Sequence, residues 1–268
     1  MFLIKLAEES ESKRAPLLAK YGIKYFLKLQ FPFSKCATDS YYTRRISKAI
    51  STKFSKPIKK ASPLGSSVVK DVVQYLLSTG NFKDERSAVF LLTQCVMFAR
   101  FEETANLKVE NVSWLPSGEL EFRFVKAKNY DVHDARSSIM AKGNGAFDPV
   151  KIFSSYFEKV SKLGAEWLFP NFTLGKKKSI ILKPKPVSYA NMLKLFRGAL
   201  EDIGLESKNF SLHSVRSGAV SEAANKNVNS DSLARHVRWK NKEMINTYHK
   251  LSLSKKLEAP QSLDIYSS

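Results

Sequence analysis

The chain has 268 residues, 43% of them hydrophobic and 12% aromatic, enough for one sizeable domain or one domain with a smaller companion. Lys and Arg total 44 against 25 Asp and Glu, and the resulting net charge of +19 attracts polyanions, nucleic acid above all. No apolar run reaches the roughly 18 residues of a membrane span, four histidines and two cysteines are too few and too scattered for a zinc site, and Cys36 and Cys95 show no pairing motif.

The opening MFLIKLAEESESKR has too short an apolar stretch for a signal peptide. With unpaired cysteines, this points to a reducing, intracellular setting. No basic amphipathic stretch with a clear apolar face stands out, which argues against a membrane partner.

Apolar spacing predicts helices over 15–31, carried by Tyr21, Ile23, Tyr25, Phe26 and Leu29, and over 40–54, carried by Ile46, Ala49, Ile50 and Phe54. This front region, 1–56, is small and basic, with little core of its own. Residues 57–65 combine prolines, lysines and a glycine, as expected of a linker. Ser66 or Ser67 is placed to cap the next helix, which carries Val68, Val69, Val72, Val73, Leu76 and Leu77. A second helix, 85–98, is apolar on all sides and so should be buried.

The period then changes. Leu120, Phe122 and Phe124 alternate with Glu121, Arg123 and Val125, as in a strand. Pro116-Ser117-Gly118 is a turn signal, which makes 112–115 its hairpin partner, and 138–140 is a candidate third strand. Asp148-Pro149 reads as a cap followed by a first-turn proline. Helices follow over 149–163, 188–203, 211–226, 230–237 and 241–250, with Ser188, Ser211 and Asn241 as caps. The fold class is therefore mainly α with one small antiparallel β-sheet.

Four stretches carry chemistry. His213 and Arg216 are three apart, hence on one helix face, near a helix start where backbone N–H groups favour an anion. By itself such an H-x-x-R pair is as compatible with a capping or core histidine beside a surface arginine. Upstream, Arg100, Glu103 and Leu107 form R-x-x-E-x-x-x-L. The strand at 120–125 runs into Lys126-Ala127-Lys128-Asn129, and Trp239 stands nine residues before Tyr248.

Taken together, these stretches resemble the catalytic boxes of the tyrosine recombinases, the phage-integrase-like family, over about residues 65–250. The style of KAKN, HSVRSG and RHVRWK is closest to recombinases of eukaryotic mobile elements, which would place the protein in a nucleus. The resemblance implies a short helical DNA-binding arm at 1–56, a linker at 57–65 and a catalytic domain at 66–268. It also implies DNA cleavage and rejoining through a 3′-phosphotyrosyl intermediate. Arg100 and Arg216 would clamp the scissile phosphate, a task for which the guanidinium fork suits better than an ammonium. His213 would donate to the phosphate and handle a proton. Lys128, with Lys126 as second choice, would protonate the leaving 5′ oxygen. Trp239 would contact the phosphate region through its indole N–H, and Tyr248 would be the nucleophile. Glu103 reads as a structural partner of neighbouring backbone or basic groups, and His236 as structural.

The implied partners are double-stranded DNA and a homo-tetramer assembled on it. No metal or nucleotide cofactor is implied. Two departures from the family pattern stand out: Phe98 and Val237 occupy positions where relatives often carry glycine, and the arm has room for about half of the usual helices. A catalytically idle DNA-binding protein derived from a recombinase, and a type IB topoisomerase, are the alternative readings.

Overall fold

A computed structural model describes residues 1–55, 61–125, 136–176, 179–239 and 242–245. The chain separates into two compact units, Met1–Lys60 and Ala61–Ser268.

The smaller unit holds three helices, α1 (Phe2–Ser10), α2 (Arg14–Gln30) and α3 (Tyr41–Lys53). Ser40 caps α3 by accepting from the Thr43 amide, and Lys24 pairs with Asp39 at 2.7 Å. Ala7, Pro16, Thr38 and Ile50 are its buried residues. The α2 positions Tyr21, Ile23, Tyr25, Phe26 and Leu29 supply helical spacing, yet all five stay exposed. Helix α1 went unread in the sequence, because nine residues make too short a window for periodicity to declare itself.

The larger unit begins with α4 (Ser66–Ser78) and α5 (Phe82–Val96). Gly65, not a serine, is the N-cap of α4, and the Glu222 carboxylate accepts from the Ser66 amide at 3.0 Å. Asn81 caps α5. Every residue from Arg86 to Gln94 is buried, so α5 is the axle of the core, as its all-round apolar character requires. A short helix, α6 (Phe101–Ala105), follows at once.

Strands β1 (Val112–Trp114), β2 (Leu120–Phe124) and β3 (Arg136–Met140) form an antiparallel sheet in sequence order. Its register sets Val112 opposite Phe122 and Phe124 opposite Arg136. Leu120, Phe122 and Phe124 point into the core, as their alternation predicts. Helix α7 (Pro149–Lys162) starts with Asp148 accepting from the Val150 amide and Pro149 in the first turn.

Residues 164–187 show no strand pattern in the sequence, yet they fold into two strands. Strands β4 (Pro170–Leu174) and β5 (Ile180–Pro186) form a second antiparallel sheet. Pro184 and Pro186 argue against a central strand, but β5 pairs on one side only, where a missing N–H costs little. The buried Arg86 guanidinium anchors this hairpin to α5. It donates to the Pro170 carbonyl at 2.8 Å and stacks on the Phe172 ring.

Helices α8 (Tyr189–Asp202), α9 (Leu212–Asn225) and α10 (Ser230–His236) complete the unit. Ser188 and Ser211 are the caps of α8 and α9. Of the last predicted helix only 242–245 are described, and Lys242–Met244 form a 3-10 turn. The class is mainly α with small antiparallel sheets, and no described helix is long and apolar enough to cross a membrane.

Helix α9 meets the chain just before α4 backbone to backbone. The Leu64 amide donates to the Ser214 carbonyl and the Ser62 amide to the Asn209 carbonyl, each at 3.0 Å. A Cβ on Gly218 would lie 1.7 Å from the Leu64 carbonyl oxygen, whereas one on Gly198 in α8 would meet nothing within 4 Å. Gly218→Ala should therefore cost about 1–3 kcal/mol as overpacking. Gly198→Ala should instead add up to about 1 kcal/mol through helix propensity. Chemical denaturation of the two variants checks both signs.

Candidate active site

The site is built around one carboxylate. Glu103, in the first turn of α6, is buried, and its side chain is 1% exposed. Oε2 accepts from the Arg100 backbone amide at 2.8 Å, which caps α6, and Oε1 accepts from Arg100 Nη1 at 2.5 Å. Arg216 Nη1 reaches Oε2 at 3.3 Å from α9, and Arg238 Nη2 reaches the same oxygen at 3.1 Å from the loop after α10. Three guanidinium groups share one carboxylate. Arg216 and Arg238 are wholly buried, while the Arg100 side chain stays 29% exposed.

Two strained turns make this convergence possible. Phe98 has φ +48°, and its carbonyl accepts from Arg216 Nη1 at 2.6 Å. Arg238 has φ +62°, whereas Val237 has ordinary helical angles. The second glycine-like conformation thus falls on Arg238, one position beyond the residue the sequence singled out. Gln94 Nε2 donates to the Leu212 carbonyl at 3.0 Å and fastens the start of α9 to α5.

Of the residues singled out from sequence, the structure brings Arg100 and Arg216 together on Glu103. His213 lies exposed in the first turn of α9. Loss of hydration, then the charges of Arg216 and Arg100, hold its imidazole below the ordinary value of 6.5. Trp239 is buried in a small apolar cluster with Val220, Leu233, Ala234 and Val237. Its backbone carbonyl accepts from Arg136 on β3 at 3.3 Å. His236 contacts the Val96 carbonyl through Nε2 at 2.8 Å and stacks edge-on against Phe98, a structural role. Lys126, Lys128 and Tyr248 lie outside the described residues. Among the described residues, no group of His, Cys, Asp and Glu could hold a metal ion.

Sequence reasoning missed Arg238. The one available signal was a basic residue directly before Trp239, and spacing alone does not separate such a residue from the many other surface-type cations.

Burial works to raise the Glu103 carboxyl, but Arg238 first, then Arg216 and the Arg100 amide, hold it below its ordinary 4.5. A depressed folded pKa means that this carboxylate stabilises the fold fully above the unfolded value. Its contribution fades as pH falls through the folded one. Glu103→Ala should destabilise by about 3–5 kcal/mol, because it leaves two buried guanidinium groups without their counter-charge. Urea denaturation at pH 7 and at pH 3 should show the gap between wild type and variant narrowing in acid.

No curated protein sequence matches the chain. Among solved structures it is similar to the Tn1549 transposon integrase in complex with circular intermediate DNA, at 12% identity and TM-score 0.60, covering 97% of this chain and 83% of that one. It is similar to the XerA recombinase at 16% identity and TM-score 0.54, covering 90% and 81%. It is also similar to the XerH site-specific recombinase bound to its palindromic difH substrate, at 13% identity and TM-score 0.57. There it covers 75% of this chain but spans only 53% of the XerH chain. These likenesses establish a shared fold. The profile of the phage integrase family matches residues 66–254, well over half of the sequence and all of the elements that build the arginine cluster, and the chain belongs to that family.

Proposed function

We propose that this protein is a tyrosine recombinase that cleaves and rejoins duplex DNA through a covalent 3′-phosphotyrosyl intermediate. The Tyr248 phenolate oxygen attacks the scissile phosphorus, and the bond to the 5′ oxygen breaks. That oxygen leaves as a hydroxyl, its proton supplied by Lys128. Arg100 and Arg216 hold the non-bridging oxygens, where charge builds in the five-coordinate transition state. His213 assists at the phosphate and moves a proton. Trp239 packs beside this region. The roles of Lys128 and Tyr248 rest on the family resemblance of their sequence positions.

The observation that carries this reading is the convergence of Arg100 and Arg216, from sequence boxes far apart, on one buried carboxylate. Together with Arg238 they set three cations against a single anion. A site so biased favours an added anion, and a phosphodiester supplies one with fork-shaped geometry. The net charge of +19 favours a polyanionic partner as well. The structures of XerH, the Tn1549 integrase and lambda integrase each contain DNA.

The proposal extends to organisation. Residues 1–56 serve as a partial helical core-binding arm, 57–65 as linker and 66–268 as the catalytic domain. A homo-tetramer assembles on DNA for strand exchange, as two recombining sites require. The style of the boxes assigns the protein to a eukaryotic mobile element, acting in the nucleus.

A nicked suicide duplex tests the chemistry. Wild type should form a covalent adduct that survives denaturing electrophoresis, and Tyr248→Phe should form none. Arg216→Lys should slow adduct formation by about 10²–10³-fold, as for loss of a fixed oxyanion donor. Salt-sensitive binding without adduct would instead identify an idle DNA-binding protein. Adduct without exchange between two duplexes would identify a topoisomerase.

The depressed imidazole of His213 adds a pH signature. At subsaturating DNA the rate reports the free enzyme. The neutral ring should then persist through the ordinary imidazole value of 6.5, and the acidic limb of the adduct rate should lie below it. His213→Gln should remove that limb.

A further inference from the structure

We infer that Arg238, which the reading above uses only for its charge, is a positioning residue that locks the catalytic arginines to strands β2 and β3 and to the loop bearing Trp239. This rests on the proposed function and deepens it.

A fully buried guanidinium on a left-handed backbone is costly twice over. A side chain at φ +62° is strained where glycine is not. A buried charge demands partners on every side. Arg238 has them. Nη2 donates to Glu103 Oε2 at 3.1 Å. Nη1 donates to the Met97 carbonyl at 3.1 Å, to Ser138 Oγ at 2.5 Å and to the His236 carbonyl at 2.9 Å. The guanidinium carbon lies 3.8 Å from the centroid of the Phe124 ring.

Those partners come from separate parts of the unit. Met97 ends α5, Glu103 lies in α6, Phe124 is the last residue of β2, Ser138 lies in β3, and His236 ends α10. Ser138 Oγ in turn donates to the His236 carbonyl at 2.9 Å, and Arg136 Nη1 reaches the Arg238 and Trp239 carbonyls at 3.4 and 3.3 Å. One side chain therefore fixes the carboxylate that orients Arg100 and Arg216, strands β2 and β3, and the Trp239 loop. A glycine at this position would relax the backbone but join none of these parts. Strain kept at a position where it assembles a site is the expected signature of a functional constraint.

The test is Arg238→Gly, which removes the guanidinium and favours the existing backbone. Adduct formation on the nicked duplex should slow by about 10- to 100-fold, the scale of a small misplacement of reacting groups. Any loss of DNA affinity at fixed salt should be smaller than the loss of rate. Millimolar guanidinium ion should restore much of the rate and raise the thermal midpoint of the variant. Ammonium at equal ionic strength should do neither. Wild-type rate in Arg238→Gly, or a folded, slow variant indifferent to guanidinium, would overturn the proposal.

If Arg238→Gly does not fold, Phe124→Leu and Ser138→Ala each remove one tether while leaving Glu103, Arg100 and Arg216 in place. Each should slow the adduct step several-fold at unchanged affinity, and wild-type rates in both would overturn it. Absence of adduct in the wild type would count against the proposed activity. The thermal response to guanidinium would still decide whether the Arg238 site exists.

Discussion

Among the described residues of the larger unit, Arg100, Arg216 and Arg238 are all held by the Glu103 carboxylate. One anion, buried in the first turn of a five-residue helix, takes hydrogen bonds from a backbone amide and from three guanidinium groups. In a medium of low polarity such a centre is strong only while complete, since each member left alone would be a buried charge without a partner. The cations outnumber the anion, so the centre coheres and still favours a further negative group. The same carboxylate thus organises this part of the fold, while the excess of cations around it leaves the centre electropositive.

The fold serves this centre by bringing short, rigid segments to one place. The turn from α5 into α6 supplies the left-handed Phe98 and, two residues on, Arg100. Helix α9 supplies Arg216 from a position fixed by Gln94 and by direct backbone contact with residues 62–64. The loop after α10 supplies Arg238 and, next to it, Trp239. None of these segments is long, and each meets the others through hydrogen bonds between side chain and backbone. Elements joined in this way have little freedom to drift, which is what a charge-stabilising site needs in order to act without reorganisation.

Much of this was legible in the residues themselves. Asp148-Pro149 and Ser188 announced the starts of α7 and α8, because caps and first-turn prolines act locally. The alternation of Leu120, Phe122 and Phe124 announced β2, because one face of that strand is buried and the other is not. Arg100, Glu103 and Arg216 stood out through spacing, and Glu103 read correctly as a partner of basic groups. What stayed hidden depends on tertiary context. Pro184 and Pro186 disguised β5, since nothing local declares that a strand will have an open edge. Arg238 was hidden for a different reason. Its importance lies in φ and in contacts with Met97, Glu103, Phe124 and Ser138 from distant segments, and no periodicity reports either. The aromatic spacing of α2 predicted a helix correctly but not burial, because Tyr21, Tyr25 and Phe26 remain exposed.

The seam between α9 and the chain just before α4 has a consequence for where the working unit starts. The family profile begins at residue 66, yet the Ser62 amide holds the Asn209 carbonyl just before α9, the Leu64 amide holds the Ser214 carbonyl in its first turn, and Leu64 itself is a core residue. A fragment trimmed at residue 66 would leave the Ser214 carbonyl exposed to solvent, open a furrow over Gly218, and loosen the turn that carries His213 and Arg216. The boundary that matters physically therefore lies some residues upstream of the one drawn by similarity, and the stretch that looks like mere tether is in part packed against α9.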